Sequence, residues 1–182
     1  MHPGGWASGG LSGSPAPERP EVPRAAFAGG RGGMEAVIFT GIQGAGKSSF
    51  YRERFFTTHV RLSLDMLKTR HREKVLLRAC LEAKQPFVVD NTNPTVAERS
   101  RYISAAKQFG FRVVGLYFQS KVADALLRND QRPAEQRVPL VGVLGTYKRL
   151  QVPHPEEGFD ALFFVRLGPD GFTAEEWRRE VR

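Results

Sequence analysis

The chain has a single cysteine, Cys80, so no disulfide can form within it. Its four histidines, His2, His59, His71 and His154, stand at none of the spacings that hold zinc. No apolar run approaches the ~20 residues that a membrane-spanning helix needs. The N-terminus lacks the basic start and apolar stretch of a secretory signal. These absences point to a cytoplasmic protein with no membrane partner. Acidic residues are also in short supply, 19 against 27 basic ones, for a formal charge of +8. That balance suits a polyanionic partner or a phosphorylated small molecule. It suits a solvated basic surface equally well, because no dense Lys/Arg block or basic–aromatic ladder is present.

What is present divides the chain in two. Residues 1–33 contain nine glycines and five prolines, which leaves few apolar side chains to offset the entropy of ordering. A disordered tail is expected there, and one folded domain over 34–182. From Met34 onward, apolar β-branched runs alternate with helical patterns. Strands are expected at 35–40, 59–64, 86–89, 111–118 and 161–167. Helices are expected at 47–56, 66–83, 121–131 and, more weakly, 140–150. Another starts at Asn93-Pro94, with Asn as N-cap and Pro at N1, and ends at Gly110. Thr173 and Glu176 have capping-box spacing, so a last helix is expected over 173–182. Alternating strands and helices imply an α/β three-layer sandwich with a five-stranded parallel sheet.

The first strand runs straight into Gly41-Ile42-Gln43-Gly44-Ala45-Gly46-Lys47-Ser48, followed by Ser49 and a helix. This is the strand–loop–helix context in which G-x4-G-K-[ST] forms a P-loop. Glycines allow positive φ and bring bare backbone amides to a phosphate at a helix N-terminus. Lys47 reaches the β- and γ-phosphates, and the Ser48 hydroxyl ligates Mg²⁺. Asp90 follows the strand PFVV at the edge where open α/β sheets bind ligands, and it can join Ser48 in orienting the metal. ATP and Mg²⁺ are the implied cofactors.

Further residues carry a resemblance. Asp65 follows the second strand, Asp90-Asn91-Thr92-Asn93-Pro94 follows the third, and Arg128-Asn129-x-x-Arg132 closes a later helix ahead of Arg137-Val138-Pro139. With the P-loop, these pieces resemble the kinase domain of phage-type polynucleotide 5′-hydroxyl kinases and their small bacterial AAA-type and zeta-toxin-like relatives. The resemblance implies a P-loop NTPase fold with strand order 2-3-1-4-5 over a kinase domain at 34–182. It implies transfer of the γ-phosphoryl of ATP to a hydroxyl, with a polynucleotide 5′-end as the leading acceptor. Asp65 then accepts the proton of the attacking hydroxyl, and Arg128 and Arg132 are lid arginines. A basic residue three positions after Asp65 clamps a 3′-phosphate in the phage enzyme. Here that residue is Lys68, which lacks bidentate geometry, and Arg70 or Arg72 are substitutes.

Read without the resemblance, the same residues keep alternatives. Arg128 and Arg132 are four apart, so a helix would put both on one face, while Pro133 biases Arg132 out of the helix to a mobile edge; basic residues also settle at helix C-termini through the macrodipole. Asp65 also stands as N-cap to a helix beginning at Met66, and both roles can coexist. Glu157-Gly158-Phe159-Asp160 reads only as a turn. Rival functions are a nucleoside, sugar or antibiotic kinase, an NTP-driven switch, and a nucleotide-binding module without turnover.

Overall fold

The apolar run EAVIFT forms β1 (Glu35–Thr40), all of it buried. It lies inside a six-stranded sheet of order β2-β3-β1-β4-β5-β6. Here β2 is Val60–Leu62, β3 Phe87–Val89, β4 Arg112–Phe118, β5 Ala161–Gly168 and β6 Gly171–Glu176. Strands β1 to β5 pair in parallel, so their connections cross over the sheet faces. The computed structural model describes residues 33–178, so all of the expected tail but Gly33 lies outside the described residues.

The helices are α1 (Lys47–Arg54), α2 (Leu64–Leu67), α3 (Arg70–Glu82), α4 (Val96–Gln108), α5 (Val122–Asp130) and α6 (Leu140–Arg149). Side chains alternate along a strand, so β1 feeds two cores. Val37 and Phe39 pack with Phe50 and Tyr51 of α1, Ala125 of α5 and Val143 of α6. Ala36 and Ile38 pack on the other face with Leu81 of α3 and Tyr102, Ile103 and Ala106 of α4. The result is the expected three-layer sandwich.

Three expectations need correction. The sheet has six strands, because residues 171–176 form β6 antiparallel to β5 rather than the start of a helix. Pro169-Asp170 makes the two-residue turn, and Phe172 and Ala174 alternate onto the core, so a period of two prevails over the Thr173–Glu176 spacing. The helix expected over 66–83 is broken into α2 and α3 at Lys68, which takes a left-handed φ of 67°, and Thr69 caps α3 through Arg72 N. Asp65 therefore sits in the first turn of α2, with Ser63 at the N-cap position. Finally, α4 starts later than expected, since Thr95 and Glu98 make its capping box. Asn93 is not a cap: it is buried, and its Nδ2 donates to Phe39 O at 2.8 Å.

A buried ion pair ties this edge of the sheet together. Arg99 of α4 is 0% exposed and donates to both carboxylate oxygens of Glu157 at 2.7 Å. Its Nη1 also donates to the carbonyls of Asn93, Pro94 and Gln151. The turn at 157–160 is thus structural: Glu157 neutralises Arg99, and Asp160 accepts from Val113 N at 2.7 Å and from Lys107.

Candidate active site

The chain leaves β1 at the edge where the parallel strands end, and the P-loop is held there by close packing and side-chain hydrogen bonds. Gly44 has φ +78°, and a Cβ on it would lie 2.4 Å from Ala125 O of α5, so no side chain fits. Arg128 Nε donates to Gly44 O at 2.6 Å, and Gln43 Nε2 to Thr146 Oγ1 of α6 at 3.0 Å. Left-handed Gly46 precedes α1, whose first turn has no side-chain cap, leaving its amides to meet an anion. Lys47 is buried and folds back, its Nζ donating to Gly41 O at 2.8 Å and Ile42 O at 2.6 Å. Burial pulls its pKa down from the usual lysine value to about 8; the charge of Asp90 opposes this, Arg132 adds to it, and Asp65 opposes it.

Beside the lysine, Ser48 Oγ donates to Asp90 Oδ2 at 2.8 Å. The Asp90 side chain is 1% exposed. Arg61 of β2 reaches the same oxygen with Nε at 2.8 Å and Nη2 at 2.5 Å, and Nη2 lies 2.9 Å from Ser48 Oγ. Its guanidinium lies 5.5 Å from the centre of the Tyr51 ring. Among the described residues no group of three or more His, Cys, Asp or Glu could hold a metal. A Mg²⁺ bound with phosphates takes only one or two protein ligands, so a hydroxyl and a buried carboxylate this close together fit it.

The facing wall carries Asp65, Asn91 and Arg70. Asn91 Oδ1 accepts from Leu64 N at 2.9 Å, holding the start of α2 against the loop after β3. Asn91 Nδ2 donates to Glu73 Oε1 at 2.6 Å, and Tyr102 OH donates to the same oxygen at 2.9 Å. Arg70 Nη1 donates to Glu73 Oε2 at 2.8 Å and to Tyr102 OH at 3.0 Å. Burial of Tyr102, together with the negative charge of buried Glu73, pushes the Tyr102 hydroxyl up to about 12.

A cavity of about 400 Å³ opens between these walls. Gln43, Gly44, Gly46, Lys47, Ser48, Ser49, Asp65, Asp90, Arg70 and Arg132 all line it. Gly41, Ile42, Ala45, Arg128 and Lys68 do not. Ile42 and Ala45 turn their side chains into the core, and Arg128 acts on the loop through the Gly44 carbonyl. Lys68 is exposed on the left-handed break between α2 and α3. Sequence reasoning missed Arg61, Glu73 and Tyr102. For Arg61 a signal existed: a charge flanked by Val60 and Leu62 in a short parallel strand is out of place unless a partner meets it.

Residues 37–151 match the AAA domain family. The bifunctional polynucleotide phosphatase/kinase of Schizosaccharomyces pombe is 30% identical over 133 residues, which are 69% of this chain and 32% of that protein. The chain therefore spans about a third of the length of that relative. Among solved structures, Chaetomium thermophilum Kti12 in complex with ADP-AlF3 aligns with a TM-score of 0.53 at 18% identity, over 72% of this chain and 88% of its own. The PezAT chromosomal toxin-antitoxin system of Streptococcus pneumoniae aligns at 0.61 with 12% identity, over 81% and 73%. At these identities the structures speak to the fold alone, which is that of the P-loop NTPases. No helix of the described residues is long and apolar enough to cross a membrane.

Proposed function

This chain belongs to the AAA domain family of P-loop proteins, and on that premise we propose that it moves the γ-phosphoryl group of ATP to a hydroxyl, with a polynucleotide 5′-hydroxyl as the acceptor. The observation that carries this reading is that Lys47, Asp65 and Arg132 line one cavity. Lys47 leaves the carbonyls of Gly41 and Ile42 and neutralises the phosphate oxygens. Ser48 and Asp90 would hold Mg²⁺, which when bound neutralises and orients the phosphates. Asp65 takes the proton of the acceptor hydroxyl as its oxygen bonds to the γ-phosphorus, and the bond to the β-phosphate oxygen breaks to release ADP. Arg132 supplies positive charge to the group in transit, while Arg128 positions the loop from behind.

The acceptor assignment is supported by the likeness to a polynucleotide phosphatase/kinase. A small-molecule acceptor is the second reading, favoured by the position of Lys68: it stands outside the cavity, and Arg70, which lines the cavity, is already paired with Glu73. Incubation with γ-labelled ATP, 5′-hydroxyl oligonucleotides and a panel of nucleosides and sugars tests both. Labelled oligonucleotide is the expected product. A labelled metabolite alone selects the second reading, and release of phosphate with neither labelled overturns transfer.

A further inference from the structure

Arg61 has no place in the chemistry above, yet it makes the tightest contacts in the site. Three bonds join its guanidinium to the two candidate metal ligands, two to Asp90 Oδ2 and one to Ser48 Oγ. Its direction is set by β2, which places it on the sheet face opposite Leu62, and by the Tyr51 ring it lies against. Tyr51 is in turn fixed by its hydroxyl, which donates to His59 O at 2.8 Å. The arginine side chain is 28% exposed while the Asp90 side chain is 1% exposed, so the guanidinium covers the carboxylate from the solvent side. A buried carboxylate without a cation is costly, and here the cation is covalently part of the chain.

We propose that Arg61 is a positioning residue that acts as an internal stand-in for the divalent metal. It holds Asp90 and Ser48 together before nucleotide arrives and repels a free divalent ion from them. Metal then enters with the nucleotide phosphates, whose negative charge draws the guanidinium away from the Ser48–Asp90 pair. The inference rests on the reading that Ser48 and Asp90 form the metal site.

The test is Mn²⁺ titration followed by electron paramagnetic resonance on the full chain, with neither nucleotide nor acceptor present. Arg61→Gln keeps a donor near Asp90 but removes the charge, and it should bind Mn²⁺ at least about tenfold more tightly than the wild type. Arg61→Met should do the same, and it serves if the glutamine variant fails to fold. Arg61→Lys keeps the charge and should gain little. Adding Asp90→Asn to the neutral variants should erase the gain. In melting experiments without metal the neutral variants should be less stable than the wild type, and Mn²⁺ should restore them. No gain in the neutral variants, an equal gain in the lysine variant, or a gain that survives Asp90→Asn overturns the proposal. Because no phosphoryl transfer is measured, a wrong acceptor leaves the readout intact.

Discussion

The P-loop and the segment carrying Asp65 face each other across one cavity but are held by different means. Around the P-loop close packing and backbone carry much of the hold, with Arg128 and Gln43 as side-chain ties: Gly41 N donates to Thr92 O, Gly44 lies against α5, and Ile42 and Ala45 are in the core. Across the cavity α2 is four residues long with none buried, and a chain of side-chain polar atoms anchors it: Asn91, Glu73, Tyr102 and Arg70. Close packing is sensitive above all to changes of volume. A polar network is sensitive to the loss of any one group, because removing one partner strands the others. The nucleotide side is thus expected to be robust in position, and the acceptor side to be where small changes alter specificity.

The strongest way to sharpen that contrast is Asp65→Asn. Losing a general base should lower transfer roughly 10²–10⁴-fold, with the smaller figure if the transition state needs little proton abstraction. Stability should shift by less than ~1 kcal/mol, because Asp65 is exposed in the first turn of α2, and ATP affinity should hold. Unaltered transfer with normal melting would remove Asp65 from the chemistry.

Next in size is Glu73→Gln. The amide puts a donor or a lost charge against Arg70, Asn91 and Tyr102, at a cost of about 1–3 kcal/mol. Freed from its anchor, Arg70 should raise the acceptor KM while the ATP KM stays constant. An equal rise in both would mean that the two walls are mechanically one.

The P-loop side has its own test in pH. With its pKa near 8 in the free protein, Lys47 is charged below that value and loses its proton above it. Phosphates favour the charged form, so ATP affinity should be flat below pH 8 and fall by up to about tenfold per unit above it, with proton uptake on binding. Calorimetry in buffers of different ionisation heat measures that uptake. The free fold should respond in the opposite direction. Between pH 8 and the ordinary lysine value the unfolded chain holds the proton that the folded chain has lost, so stability rises with pH. The smallest effect is expected from deletion up to Met34, which should leave melting and ATP affinity unaltered. A clear drop in melting temperature would mean that residues 1–33 pack on one of the two walls.

How legible the two walls were follows the same division. The P-loop could be read because its information is contiguous: an apolar strand, glycines at fixed spacing, then a helix. The β5–β6 hairpin was readable in principle from Pro169-Asp170-Gly171 and the alternation of Phe172 and Ala174, but a capping-box spacing competed with it. The break at Lys68 carries only a faint local mark, the N-cap residue Thr69, since neither glycine nor proline stands there. The anchoring of Leu64 N by Asn91 and of Arg70 by Glu73, together with the Thr69 cap, fixes where α2 stops and α3 begins.

The sequence by itself determined the alternation of strands and helices as far as β5, the P-loop, and the placement of Asp90 at the end of β3, because each depends on neighbours within a few residues. Tertiary structure alone decided that Arg61 meets Asp90 across 29 residues of chain, that Lys68 stands outside the cavity while Arg70 lines it, and that Arg99 is buried against Glu157. Those outcomes depend on which strands lie side by side and which charges can be neutralised once water is gone. A buried charge takes whatever partner the fold brings within reach, and periodicity along the chain does not encode that partner.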